Sequence, residues 1–239
     1  LVAIVKKAAR HGALALVDRV DMNWVRRHVE GWEEVRKKTD ELKATGKGGL
    51  FVTPHFGSWD LSGVVMQALG APMFFVTGRQ KNPLVDDYTN RLRALTHVPI
   101  IPKGRGVLRD VIRRLRAGEY LGMLPDVRAP ADSIRVQFLG KEANVPAGTA
   151  MFAYQADAPL ISGTLTRLGW TRHRIELHTP LYPDQTRDKT EECARLTQGF
   201  FSMADKIVRA RPEQWFWFNK RWIFDPVEPA PNAAQNQQS

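Results

Sequence analysis

"GLFVTPHFGSWDLSGVVMQAL" occupies residues 49–69. Its first five residues form a short apolar run introduced by glycine, which reads as a buried strand. Its last nine, "LSGVVMQAL" (61–69), return to helical spacing. Between them lie His55 and, five positions on, Asp60, with Ser58 placed to cap the coming helix. Strand, polar loop and helix in that order are the unit of layered α/β architecture. In open α/β sheets, sites gather outside the carboxyl ends of strands, which is where this loop falls.

The alternation continues outward. Downstream strand candidates are "PMFFVTG" (72–78), "VPIIP" (98–102), "YLGMLPD" (120–126), "IRVQFLG" (134–140), "PLISGTLTR" (159–167) and "RIELHTPL" (174–181). Helical character covers 86–95. Val107, Leu108, Val111, Ile112 and Leu115 make one apolar helix face, with Arg109, Arg113, Arg114 and Arg116 on its other sides. A long helix is expected from about Lys189 to Arg211. Upstream, residues 1–45 read as helical, with a second stretch over Trp32–Ala44 that stops at "TGKGG" (45–49). The expectation is one domain over 1–224, a central, mostly parallel sheet flanked by helices and preceded by N-terminal helices. The tail "DPVEPAPNAAQNQQS" (225–239) has little to bury and is expected to be disordered.

Composition narrows the class. Of 239 residues, 43% are hydrophobic, enough for one sizeable core. The single cysteine, Cys193, excludes an internal disulfide and any multi-cysteine metal site. The net charge of +10 points to an acidic partner: nucleic acid, an anionic membrane surface or an acidic carrier protein. A plainly soluble basic surface is the simpler account of the same charge. No apolar run reaches the roughly 20 residues that span a bilayer, and no secretory leader is visible. The chain begins at Leu1, so an anchor further upstream stays open. Leu1, Val2, Ile4, Val5, Ala8 and Ala9 recur near helical spacing among Lys6, Lys7, Arg10 and His11. Such a helix can lie on a membrane or face a core.

His55 at a strand end suits a general base near neutral pH, given a carboxylate to fix its tautomer. Asp60 is the candidate. Five residues is the wrong spacing for one helix face, but not for a strand–loop–helix junction. Chance is a serious rival for a lone His/Asp spacing. Other chemistries lack their signatures. There is no G-x-S-x-G elbow, no P-loop and no H-E-x-x-H. "KGRGVLRD" (103–110) is short of a dinucleotide fingerprint, and the six histidines lack zinc-ligand spacing, so no metal is expected.

Further blocks carry a resemblance. They are "VEGWEEVRKKTDELKATGKGGLFVTPHFGSWD" (29–60), "GRQKNPLVDDYTNRLR" (78–93), "LPD" (124–126), "FLGKEANVPAGTAMFAYQADAPLI" (138–161) and "RPEQWFWFNKRW" (211–222). In this order they resemble the glycerolipid acyltransferase superfamily, most closely its lipid A biosynthesis (lauroyl/myristoyl) acyltransferase branch. The chain departs at Val127, where the branch usually has Gln, at Asn219, where it usually has His, and at Asp60, where Glu is common. The branch's usual N-terminal transmembrane helix is not seen.

The resemblance implies acyl transfer from a thioester, acyl carrier protein or acyl-CoA, to a hydroxyl of a membrane (glyco)lipid such as a lipid A precursor. His55 would be the base and Asp60 its orienting acid. No covalent intermediate and no cofactor beyond the acyl donor are needed. Amides near Gly57, Ser58 and Trp59 are candidate oxyanion donors. Arg79, Asn82, Arg91 and Arg93 fall in the second block as substrate-binding candidates, since arginine forks suit phosphate. Asp126 would support the site or hold an arginine. The cluster Trp215, Phe216, Trp217, Phe218, Trp222 and Phe224 divides between core packing and a lipid-facing wall, with Lys220 and Arg221 beside it for anionic headgroups. Implied partners are anionic membrane lipid and the acyl donor, with no nucleic acid. The implied location is the cytoplasmic face of a bacterial inner membrane, peripheral or anchored by a segment outside this chain. A thioesterase using the same pair is the alternative reading. A basic nucleic-acid-binding protein, prompted by the arginine-rich helix 107–116, is a more distant one.

Overall fold

The computed structural model describes residues 20–225, except 79–81, 95–96, 130–132 and 220–221; at 85, 88–90, 92 and 93 it describes backbone only. The basic stretch at Leu1–His11, and the tail beyond Asp225, lie outside the described residues.

The chain enters through helix α1 (Met22–His28), capped by the Asp21 carboxylate, which accepts the Trp24 amide at 2.7 Å. Strand β1 (Val29–Glu30) and helix α2 (Trp32–Ala44) follow. The helical reading of 1–45 is thus interrupted at 29–31. Gly31 is the reason: its φ is +79°, and a Cβ there would come 2.7 Å from the Ile175 carbonyl oxygen. Then come β2 (Gly49–Val52), α3 (Trp59–Ala68), β3 (Met73–Thr77), α4 (Pro83–Ala94), β4 (Ile100–Pro102), α5 (Val107–Arg116) and β5 (Tyr120–Met123). A hairpin of β6 (Ser133–Phe138) and β7 (Lys141–Pro146) leads into α6 (Gly148–Ala156). Strands β8 (Leu160–Arg167) and β9 (His173–Leu177), the long helix α7 (Lys189–Ala210) and a 3-10 turn at Pro212–Gln214 complete the order.

Seven strands form one sheet in the order β1-β9-β8-β2-β5-β3-β4. Every pairing is parallel except β8 with β9. The expected α/β class, a mostly parallel sheet flanked by helices, is what the chain adopts. β2 is buried along its whole length, as a central parallel strand covered on both faces must be. Its residues alternate between two cores: Leu50 and Val52 join the core beneath α5, α6 and α7, and Phe51 joins the core beneath α1, α2 and α3.

The 134–140 stretch does not extend this sheet. Among the described residues it pairs only with β7, through a turn at Leu139–Gly140 whose φ values are +50° and +81°. Positive φ at both central residues is what a tight hairpin needs. Val136 and Phe138 point into the core under α7 while Arg135 and Gln137 face solvent. Residues 141–156 carried no expected element, yet hold β7 and α6. α6 buries Thr149, Ala150 and Ala153 and has little amphipathic contrast for a period to show. The arginine-rich α5 is an ordinary surface helix. It buries Val111 and Leu115, and Arg113 and Arg114 pair with Asp110 and Glu119.

Candidate active site

Because β2 lies between β8 and β5, all three parallel, their carboxyl ends deliver three segments to one edge of the sheet. From β2 comes the loop 53–58, from β5 the segment 124–127, and from β8 its end at Arg167 and the residues that follow. The Asp126 carboxylate is the hub. Its Oδ1 lies 2.6 Å from His55 Nδ1; its Oδ2 accepts the His55 amide at 2.8 Å and the Trp215 indole N–H at 2.9 Å. The Asp126 side chain is 1% exposed and that of His55 20%. Burial pushes the Asp126 carboxyl up, but the imidazole charge and the hydrogen bonds from His55 and Trp215 outweigh it and hold the group below its usual range. An ionised carboxylate only accepts, so the imidazole proton sits on Nδ1 and Nε2 is the basic nitrogen.

The orienting contact that the sequence assigns to Asp60 is therefore made by Asp126, from 71 positions further along the chain. Asp60 sits half-buried in the first turn of α3, where a carboxylate suits the positive helix end. Trp215, from the closing block, is a site residue through its indole N–H. Its neighbour Phe216 donates its amide to the His55 carbonyl at 2.8 Å. The rings of Trp59 and Phe216 stand 5.6 and 6.5 Å from the imidazole. Trp215 is buried, whereas Trp217 and Phe218 reach solvent, so the aromatic cluster has a buried and an exposed part.

The loop is pinned from its other side. Gly57 has a φ of +60°, and a Cβ there would lie 2.3 Å from the Leu165 carbonyl oxygen. The Gly57 amide donates to the Gln214 carbonyl at 3.0 Å and the Ser58 amide to the Leu165 carbonyl at 2.9 Å. These two amides, expected as oxyanion donors, are spent within the fold. Ser58 makes no side-chain cap to α3. Its buried hydroxyl instead meets Arg167 Nε at 3.4 Å, Arg167 Nη2 at 3.3 Å and His173 Nε2 at 3.0 Å. Burial, and then the Arg167 charge, push His173 down to about 4, so it is neutral at pH 7. The Gln214 side chain holds the Arg167 backbone by two 2.9 Å bonds. Arg167 and His173 were not singled out from sequence, and the strand-end position of Arg167 is the one signal that could have marked it.

The second block is less drawn in. Arg79 lies outside the described residues, as does the Arg93 side chain. Asn82 Oδ1 accepts the Leu84 amide at 3.0 Å, capping α4. Arg91 pairs with Asp87 one turn earlier on the exposed face of the same helix. Beside the His55 loop, a narrow apolar cavity of about 50 Å³ runs between α3 and the sheet. Trp59, Gly63, Met66, Met73, Phe75 and Gly122 are among its walls.

An imidazole exposed to solvent on one nitrogen and backed on the other by a buried, ionised carboxylate, at the carboxyl edge of a parallel sheet, has the geometry of a general base in an α/β enzyme. A model of the bacterial lipid A biosynthesis acyltransferase family matches residues 4–223, and the chain belongs to that family. Among curated relatives, the lipid A biosynthesis acyltransferase of Haemophilus influenzae is 25% identical over 182 residues, covering 74% of this chain and 54% of the relative. The phosphatidylinositol mannoside acyltransferase of Mycobacterium tuberculosis is 23% identical over 196 residues, covering 79% and 59%. That of Mycolicibacterium smegmatis is 22% identical over 185 residues, covering 75% and 58%. The chain spans between half and three-fifths of these relatives' lengths.

Proposed function

We propose that this protein transfers a fatty acyl group from a thioester, acyl carrier protein or acyl-CoA, to a hydroxyl of a membrane glycolipid. The observation that carries the reading is the His55–Asp126 pair. A lipid hydroxyl is a poor nucleophile at pH 7 and needs a base as it attacks. His55 Nε2 takes the hydroxyl proton while the oxygen bonds to the thioester carbonyl carbon. The C–S bond then breaks, and the departing thiolate receives the proton from Nε2. Asp126 holds the ring and stabilises the transient imidazolium without itself taking the proton. The lining of the narrow cavity beside the loop is apolar, as contact with an acyl chain requires.

The acceptor class is drawn from the relatives, which are named for lipid A and for phosphatidylinositol mannoside, both glycolipids. Docking on an anionic bilayer accords with the +10 charge. It also accords with apolar side chains at the same sheet edge: Trp170, 91% exposed between β8 and β9, and Leu84, 80% exposed at the start of α4 after β3. Lys103 and Arg105, exposed after β4, add positive charge at that edge. Among the described residues no helix is long and apolar enough to cross a membrane.

The test is mass spectrometry of lipid and thioester products from purified protein, the candidate glycolipid and acyl donors. Acylated lipid is expected, and His55→Ala should abolish it. Free fatty acid without acylated lipid would overturn the transferase reading in favour of hydrolysis.

A further inference from the structure

The cavity beside His55 is bounded by a row of three residues in register across neighbouring strands. Phe51 on β2 stands opposite Gly122 on β5, and Gly122 opposite Phe75 on β3. The row reads large, empty, large. Phe75 fills the gap. A Cβ on Gly122 would lie 2.3 Å from its Cε1, and a Cβ on Gly63, from α3 above, would lie 2.2 Å from its Cζ. One ring therefore occupies the space that two missing side chains leave, one in the sheet and one in the helix. Thr53 and Trp59, next to His55, line the cavity, as do Gly163 and Thr164 on β8 and Ile175 and Leu177 on β9; Phe75 stands on its β3 side, two strands from β2. Met66 and Met73 line the same space and can adjust to a flexible occupant.

We infer that Phe75 is the end wall of the acyl-chain pocket and sets the length of chain the enzyme accepts. The inference rests on the acyl-transfer reading above. With the thioester carbonyl held at Nε2 of His55, a chain entering past Trp59 runs beneath α3 across β2 and β5 and meets the Phe75 ring. Carbons beyond that point must displace the ring, which Gly63 and Gly122 already hold on two sides. Replacing the ring by a smaller side chain lengthens the pocket. Adding a methyl at Gly63 drives the ring further in and shortens it. Phe75 touches the far end of the substrate and none of the reacting atoms, so its effect is on selection among donors.

The experiment compares kcat/KM for acyl donors from 8 to 18 carbons in the wild type, Phe75→Ala, Phe75→Leu and Gly63→Ala. In Phe75→Ala the preferred chain should lengthen by about two carbons or more. The ratio of the long-chain to the original donor should rise about tenfold, the scale of methylene discrimination in an apolar pocket. Phe75→Leu, which keeps most of the packing, should shift it the same way by less, and it carries the test should Phe75→Ala fail to fold. Gly63→Ala should shift it towards shorter chains. An unchanged profile in a folded, active Phe75→Leu overturns the inference and leaves the acyl-transfer reading standing. Should the wild type transfer no acyl group, that reading fails by itself. Titration of free fatty acids of the same lengths then decides on Phe75: tighter long-chain binding by the variants sustains the end wall, and identical length dependence removes it.

Discussion

Two histidines stand on either side of one loop and have opposite fates. His55 keeps a fifth of its side chain exposed and has a buried carboxylate behind it. His173, at the start of β9, is buried, lies near the cation of Arg167 and shares a hydrogen bond with the Ser58 hydroxyl. A carboxylate beside an imidazole favours the imidazolium form, which is what the proposed role of His55 requires. Burial and a neighbouring positive charge both oppose that form, so His173 stays neutral. Nothing in the ring chemistry separates them. Their neighbours do, and those neighbours come from β5 in one case and from β8 and α3 in the other.

The comparison can be broken at several points. The largest effect should come from His55→Ala, which removes the proposed base. Acyl transfer, followed by lipid mass spectrometry, should fall by at least about 10³-fold, while circular dichroism and thermal unfolding stay near wild type. Next is Asp126→Asn. An amide in place of the carboxylate can reverse the tautomer of His55, and kcat should fall by about 10³–10⁴-fold. A variant within threefold of wild type would detach Asp126 from the mechanism. The partner histidine gives a stability signature instead. Its folded value, about 4, lies below its ordinary value of 6.5. Between those two values the unfolded chain binds a proton that the folded one refuses. The contribution is full above pH 6.5 and is lost as pH falls towards 4, on the order of 3 kcal/mol in all. Urea unfolding at several pH values in that window should show a steeper acid loss in the wild type than in His173→Gln. The smallest effect is on that group alone. Arg167→Gln removes the like charge and should move His173 up, though not back to its ordinary value, because burial remains the larger cause. An NMR titration of the imidazole reads this directly, and a downward or absent shift would contradict the electrostatic account.

How far the sequence could be read follows the range of the interactions involved. The strand at 49–52 and the helix after it were legible because apolar period and glycine boundaries are local. So were α2, α5 and α7, each with one apolar face. The break at Gly31 was not, because what requires a glycine there is the Ile175 carbonyl, far along the chain. The strand at 134–140 was recognised as extended, but its partner was not, since periodicity says which face is buried and not against what. In the site, His55 was marked by its place after a strand. Asp126 was marked as a strand-end acid, but its bond to His55 depends on β5 lying beside β2. That is a fact of strand order, on which residue spacing is silent. Ser58 looked like a helix cap by position and became a partner of Arg167 and His173 once β8 and β9 were in place.

By itself, then, the sequence determined the α/β alternation, the strand–loop–helix unit with His55 at its turn, and the blocks that the family shares. These rest on hydrophobic period, glycine placement and residue identity, all carried by neighbours in the chain. Only the tertiary structure decided which carboxylate backs the histidine, which amides are already spent, and which side chains line the apolar cavity. Parallel strands adjacent in space are separated by whole helices in sequence, and the chemistry of this edge lies between strands.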